Sequence, residues 1–370
     1  MNLVIFIGHH KVGSTSLQTF LTNNFLTLIN RGVLYPAVES KGMASNLLRA
    51  VKGKDLGGPT HINIREPHNA LAFRMMSESA NSWRIPPYHT GLPSVHQMLL
   101  IIKEQIAALT PSTVVLCSEV FSNFGVRCPE MIERLKAELG ISDVTIVCTL
   151  RRPDEYLASW HSQRLRFGHK MGALRDDGLE EYLSDIHFNY RSLLEPWVKE
   201  FPQAKFAIRS YSDVLGEGGS IIDFFKQAGL EKKIKGLSTK SISANQSIHL
   251  GLLEVGRLAL HHLETESARM LCRKMIKISS KVDLPPSKQI ELFGPEKREF
   301  LFSEFQPVHD YLNKLTGKRS FFEDIDKVKE VKPYPEIETA RDGVKQVWKL
   351  LRGELTEPAV KDFLKNIDIH

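Results

Sequence analysis

The stretch VIFIGHHKVGSTSLQTFL, Val4 to Leu21, decides the fold. It continues an apolar run from Leu3 to Ile7 with β-branched members, which reads as a buried strand of a parallel sheet. A glycine-bearing loop follows. From Ser16 to Ile29, Leu17, Phe20, Leu21, Phe25 and Leu28 recur near helical spacing. Strand, loop and helix in that order are the context of a phosphate loop, G-x-x-x-x-G-K-[ST]. Gly8 and Gly13 have the right spacing, but Ser14 stands where the lysine belongs, and Lys11 precedes the second glycine instead. Such a loop turns successive backbone N–H groups into one concavity at a helix N-terminus, where the helix dipole favours an anion. Lys11 adds a full positive charge, and Ser14, Thr15 and Ser16 add hydroxyl donors. Taken alone, the loop also fits an ordinary tight turn.

Outward from this stretch, further strands are predicted over Thr113–Cys117, Val144–Leu150 and Lys205–Arg209. Helices are predicted over Val95–Leu109, Met131–Leu139, Asp154–Phe167 and Ser220–Ala228, and within Leu179–Phe201. Gly140 suits a helix C-terminus and Pro153 a first helical turn. Strands alternating with helices imply an α/β, three-layer fold of P-loop type. Its central, mostly parallel sheet is flanked by helices and takes its ligand at the carboxyl ends of the strands. Between Pro36 and Pro93 the periodicity dissolves. Gly57-Gly58-Pro59, Pro86-Pro87 and the histidines His61, His68 and His89 mark a loop-rich insertion, about 36–95, with short helices. The expected organisation is one α/β domain over 1–250. A mostly helical region over 251–370 is expected to pack on it and help form an acceptor site.

The chain has 370 residues, 42% apolar and 25% charged, with a formal charge of +6. This is an ordinary soluble composition, mildly basic, and suits an anionic ligand. No Lys/Arg run is long enough to argue for nucleic acid. Four cysteines without C-x-x-C or Cys/His spacing suggest neither a disulfide scaffold nor zinc, and so favour a reducing compartment. There is no charged n-region followed by a cleavable apolar stretch, and Leu3–Ile7 is too short to span a membrane. The expected location is the cytoplasm, with peripheral membrane contact left open and the oligomeric state unread.

Two more clusters follow predicted strands. Arg151 ends the third, and Ser159 lies eight residues on, inside the next helix. An arginine and a hydroxyl so placed can grip one phosphate; an arginine before proline also serves as a helix-start ion pair. Ser118-Glu119 ends the second strand. Its carboxylate reads as a general base, as a metal ligand of Walker-B type, or as the cap of a turn. A kinase loop wants its lysine after the second glycine and a strand-end Asp for magnesium, and neither is present. Two anion grips at neighbouring strand ends suit a nucleoside carrying phosphates at both ends.

With these residues the sequence resembles the PAPS-dependent sulfotransferases, over roughly its first 250 residues. Their 5′-phosphosulfate loop commonly reads K-[ST]-G-[ST]-[ST], matched by Lys11-Val12-Gly13-Ser14-Thr15 except at Val12. Their 3′-phosphate element, an arginine with a serine eight residues later, is matched by Arg151 and Ser159. A later Tyr-Glu-Asp signature is similar to Tyr211-Ser212-Asp213. The loop looks more like the bacterial, carbohydrate-type branch than the cytosolic branch, which usually has Trp where Ser16 stands.

The resemblance implies sulfuryl transfer from PAPS to a hydroxyl on a carbohydrate or glycolipid, with no metal required. Lys11, inside the loop, can reach the oxygen bridging phosphate and sulfur, and Glu119 takes the place of the base. Other members use a histidine there. Lys11, Val12, Gly13, Ser14, Thr15, Ser16, Arg151, Ser159 and Tyr211 form the expected nucleotide site. Weaker candidates are His10 beside the sulfate, with His9 before it. His161, Arg164, Arg166 and Lys170 could face an anionic acceptor or simply make a solvated helix face. Asn245 and Ser247 could close over the nucleotide or cap a helix. Tyr156 and Trp160 read as packing residues. The rival readings are a divergent P-loop kinase or nucleotidase, and a nucleotide-binding module without catalysis.

Overall fold

In the computed structural model, residues 1–55, 57, 60–80, 83–240 and 247–369 are described. Five parallel strands form the sheet, in the order β2-β3-β1-β4-β5: β1 (Asn2–Phe6), β2 (Val33–Leu34), β3 (Thr113–Cys117), β4 (Asp143–Leu150) and β5 (Lys205–Ser210). The α/β architecture with a parallel sheet flanked by helices is thus the one the alternating pattern implies. Phe6 registers with Cys117 on one side and Val147 on the other. The ladder to β4 runs past the end of β1. Ile7 N–H donates to the Val147 carbonyl (3.0 Å), His9 N–H to that of Thr149 (2.8 Å), and Thr149 N–H to that of Gly8 (2.8 Å).

Alternation along β1 sends Val4 and Phe6 to one face. There they join Val115, Cys117, Val147 and Ala207, and are covered by Leu17, Phe20 and Leu21 of α1 (Ser14–Asn23) and by Ile221, Phe224 and Phe225 of the helix Ser220–Gln227. Leu3 and Ile5 point to the other face and are as deeply buried. The chain leaves β1 toward the β2 edge, but leaves both neighbours of β1 toward the β5 edge. The carboxyl end of β1 is therefore where the winding reverses, the usual seat of a ligand in such sheets.

The segment from about 36 to 95, expected as loops and short helices, holds two 13-residue helices, α2 (Ser40–Lys52) and α3 (Pro67–Ser79). Almost the whole first half of α3 is buried, His68, Asn69, Ala70, Leu71 and Ala72 included. A helix covered on most sides has no apolar stripe to betray it. Pro67 at its first turn was the available signal.

The chain divides into two compact units, Met1–Arg151 with Tyr190–Ala244, and Arg152–Asn189 with Asn245–His370. This differs from a cut near 250, because 152–189 joins the helical unit. That unit has its own core. The helix Pro153–Arg166 contributes Leu165, whose side chain lies against Gly256 of the helix Leu253–His262. Arg152 is buried there by ion pairs to Asp154 (2.7 Å) and Asp324. Among the described residues no helix is long and apolar enough to cross a membrane.

Candidate functional site

The loop after β1 is shaped by left-handed backbone. Gly8, Lys11 and Gly13 have φ of 121°, 63° and 91°. At Gly13 a Cβ would lie 2.8 Å from Ser220 Oγ, so no side chain fits. The Gly13 carbonyl accepts from Ser16 N–H (3.1 Å), Leu17 N–H (3.2 Å) and Ser220 Oγ (3.2 Å). That carbonyl is thereby turned into α1, and the N–H groups of Ser14 and Thr15 are left without an intrahelical acceptor, as at any helix start. Left-handed residues alternating with ordinary ones are the geometry of an anion-binding nest. Val12, the departure from the family pattern, is buried in the core beside Leu17, so only its backbone belongs to the loop surface. Thr15 and Ser16 are half-buried.

Arg151, at the end of β4, reaches this loop. Its Nη1 donates to the Lys11 carbonyl (3.3 Å), and its guanidinium lies 4.8 Å from the ring centroid of Tyr211. Its own carbonyl accepts from Tyr190 Oη (2.9 Å). Tyr190 in turn packs edge-on against the buried ring of His9, with centroids 5.3 Å apart. Tyr211 opens the helix Tyr211–Gly216, fixed by Ser210 Oγ capping Asp213 N–H (3.1 Å). Lys11, Arg151 and Tyr211, predicted from three separate strand ends, thus form one cluster.

Ser14 has another role. Its hydroxyl is hydrogen-bonded to the Glu119 carboxylate. Glu119 begins a short 3-10 turn after β3, held by Ser118 Oγ accepting from Val120 N–H (3.1 Å). Its Oε2 accepts from Gln18 Nε2 (3.1 Å) and its Oε1 from Asn69 Nδ2 (3.2 Å). The same Asn69 amide donates to Glu66 Oε2 (3.0 Å), while Arg65 pairs with Glu66 Oε1 (2.6 Å). Asn69 Oδ1 accepts from Ser118 Oγ (2.7 Å) and Gln18 Nε2 (3.2 Å). A Cβ on Gly8 would meet Ser122 Cβ at 3.1 Å and the Glu119 carbonyl at 3.4 Å, which is how closely loop and carboxylate segment approach.

Burial raises the proton affinity of Glu119 above the ordinary carboxylate range, and the hydrogen bonds it accepts offset this only in part. Burial raises Glu66 in the same way, and the neighbouring Glu119 charge adds to it. Beneath them His68 is neutral, lowered to about 3 by burial, with Nδ1 accepting from Cys117 N–H (3.1 Å). Glu66, Asn69 and Gln18 are the residues sequence reasoning missed. Gln18 had a signal, a polar residue four after Ser14 on the inward face of α1. Glu66 and Asn69 lay in the aperiodic segment.

The remaining expectations divide between the units. Ser159 lies on the helix Pro153–Arg166 of the helical unit and is half-buried. In that unit His161 is buried against Tyr182 Oη (2.8 Å), and Arg164 pairs with Glu181 (2.8 Å), so both are engaged in local structure. Arg166 and Lys170 are exposed. Tyr156 Oη meets His187 Nδ1 (2.8 Å) and Trp160 stacks on the same ring (4.2 Å), consistent with packing. His10 is half-buried and Ser247 exposed; Asn245 lies outside the described residues.

A protein of Archaeoglobus fulgidus, described as an uncharacterized protein, is 29% identical over 147 residues, 39% of this chain and 38% of its own. The chain therefore matches about two-fifths of that relative's length. No family model matches the chain, and no solved structure does.

Proposed function

We propose that the α/β unit is a sulfotransferase that binds PAPS and moves its sulfuryl group to an acceptor hydroxyl, with a carbohydrate or glycolipid as the acceptor class. One observation carries the reading. The Arg151 guanidinium rests on the Lys11 carbonyl and on the face of Tyr211, at the carboxyl ends of the central strands. A loop for one anion, a strand-end cation for a second and an aromatic face beside it match a nucleotide with phosphate at both ends. The proposal uses residues of the α/β unit alone.

Bound PAPS supplies a sulfuryl group on a phosphate that leaves readily. The loop amides and the hydroxyls of Thr15 and Ser16 hold the 5′ end, and Lys11 offers its ammonium to the oxygen that gains charge as the sulfur–oxygen bond breaks. Glu119 takes the proton of the acceptor hydroxyl. A carboxylate has about four acceptor sites. Ser14, Gln18, Asn69 and the backbone N–H of Glu119 itself all donate to this one, so the acceptor hydroxyl takes the place of one of these donors when it enters. Its raised proton affinity suits a base working near neutral pH. The four cysteines are unpaired thiols, in keeping with a cytoplasmic setting.

The test is transfer of labelled sulfate from PAPS to fractionated cell-envelope glycans and small hydroxyl compounds, alongside calorimetry. Lys11→Ala is expected to abolish transfer while leaving nucleotide binding largely intact. Arg151→Ala is expected to weaken 3′-phosphoadenosine 5′-phosphate by about 10–100-fold and AMP far less. Equal loss for both nucleotides removes Arg151 from the 3′-phosphate. Magnesium-dependent ATP binding without PAPS binding would replace the reading with the kinase one.

A further inference from the structure

Helix α2 is built inside out. Leu47 and Val51 are 66% and 77% exposed, Leu48 and Met43 43% and 39%, whereas Arg49 is 1% exposed. Met43, Leu47 and Val51 repeat every four residues and so lie on one face, with Leu48 beside them. The inward face is polar. Arg49 Nη1 donates to Ser45 Oγ (2.7 Å) and Asn46 Oδ1 (3.2 Å), one turn back on the same helix. Glu39 caps the start through Lys41 N–H (2.8 Å) and Gly42 N–H (2.9 Å), and Gly53 ends it in a left-handed turn, so the helix is firmly bounded. A helix on a water-facing surface normally shows the opposite pattern.

The charge around the stripe is one-sided. Lys41, Lys52 and Lys54 are exposed, and no acidic residue occurs between Ser40 and Lys54. On the helical wheel Lys41 and Lys52 flank the apolar arc on the side of Leu48. Two copies of this face brought together would oppose lysines with no carboxylate to answer them. An anionic bilayer meets both features, with acyl chains for the four apolar side chains and phosphate headgroups for the ammonium groups. The helix is about 20 Å long, suited to lying in the interface plane rather than crossing.

We infer that α2 is a membrane-surface helix that docks the α/β unit on an anionic lipid bilayer through Met43, Leu47, Leu48 and Val51, with Lys41, Lys52 and Lys54 against the headgroups. None of these residues belongs to the candidate site, so the inference stands or falls apart from sulfate transfer.

The test is co-sedimentation of the full chain with vesicles of phosphatidylcholine mixed with phosphatidylserine, against pure phosphatidylcholine. Binding to the anionic vesicles is expected, weakening as salt is raised. The double variant Leu47→Glu, Val51→Glu is expected to lose on the order of a hundredfold in binding. Lys52→Gln is expected to lose about fivefold. Circular dichroism and the thermal midpoint should be unchanged in both, because these side chains are mostly exposed. Absence of binding to either vesicle, equal binding by the double variant, or a self-association of the parent that Val51→Glu removes would overturn the inference.

Discussion

In the helical unit Glu254 and Glu336 face Arg175 and Arg257; in the α/β unit Glu66 and Glu119 face amides, a hydroxyl and the single arginine Arg65. In the first case the charges answer one another. Arg257 reaches both oxygens of Glu254 (2.7 Å each), and Arg175 bridges Glu254 (3.1 Å) and Glu336. Burial pushes Glu254 up, yet the two arginines bring it below the ordinary range. At Glu336 burial wins and pushes it up to about 8 despite Arg175. In the second case Gln18, Asn69 and Ser14 satisfy hydrogen bonds to Glu119 but cancel no charge, and at Glu66 burial and the Glu119 charge outweigh Arg65, so both carboxyls stay above their ordinary values. Matched buried charges are costly to break and have structural use. A carboxyl held by neutral donors can take or give a proton without disturbing an ion pair, which is what a base requires.

Several changes would break or sharpen this contrast. Glu119→Gln is expected to lower sulfate transfer by about 10²–10⁴-fold and leave stability within about 1 kcal/mol, since losing a buried charge offsets one lost hydrogen bond. A large loss of stability in urea unfolding would place Glu119 in the structural class instead. Arg175→Leu should do the reverse. It strands Glu336, leaves Glu254 to Arg257 alone and costs about 3–5 kcal/mol, and a mild effect would mean that the ionic cluster is dispensable.

The pH dependence draws on both units. A carboxyl raised on folding binds its proton more tightly in the native state, so its contribution is fullest below the ordinary carboxylate value. That contribution is lost as pH rises through the raised one. Stability is therefore expected to fall with rising pH above the ordinary range for Glu66, Glu119 and Glu336. Glu66→Gln should flatten only the α/β share, and a slope identical to the parent's would refute the pairing of Glu66 with Glu119. The smallest effect concerns Lys11, held at φ 63°. Lys11→Gly removes a left-handed strain of about 1 kcal/mol. Greater stability with no transfer would show that the loop is strained at its functional residue, whereas retained transfer would remove Lys11 from the chemistry.

Much of the frame was legible because its signals are local. The runs at Leu3–Ile7, Thr113–Cys117, Val144–Leu150 and Lys205–Arg209 all became strands of the sheet, within a residue or so at their ends. β2 escaped because two residues carry no period. Helix α3 escaped because burial on most sides erases amphipathicity. The boundary at Arg152 was invisible because the arginine commits to the helical unit through Asp324, 172 residues away in the chain. Lys11, Arg151 and Tyr211 were each readable as strand-end residues, and their convergence follows from the strand order.

The sequence by itself determined the strand–loop–helix of the first 30 residues, the glycines its left-handed turns demand, and the strand ends on which a cation, a carboxylate and an aromatic ring sit. Each depends on neighbours a few positions apart, so the chain's local chemistry suffices. Only the tertiary structure decided what surrounds Glu119. Its donors Asn69 and Gln18 lie 50 and 101 residues away, and the close parallel packing of β1 on β3 brings them together. That packing removes water from the carboxylate, and the loss of water sets its proton affinity.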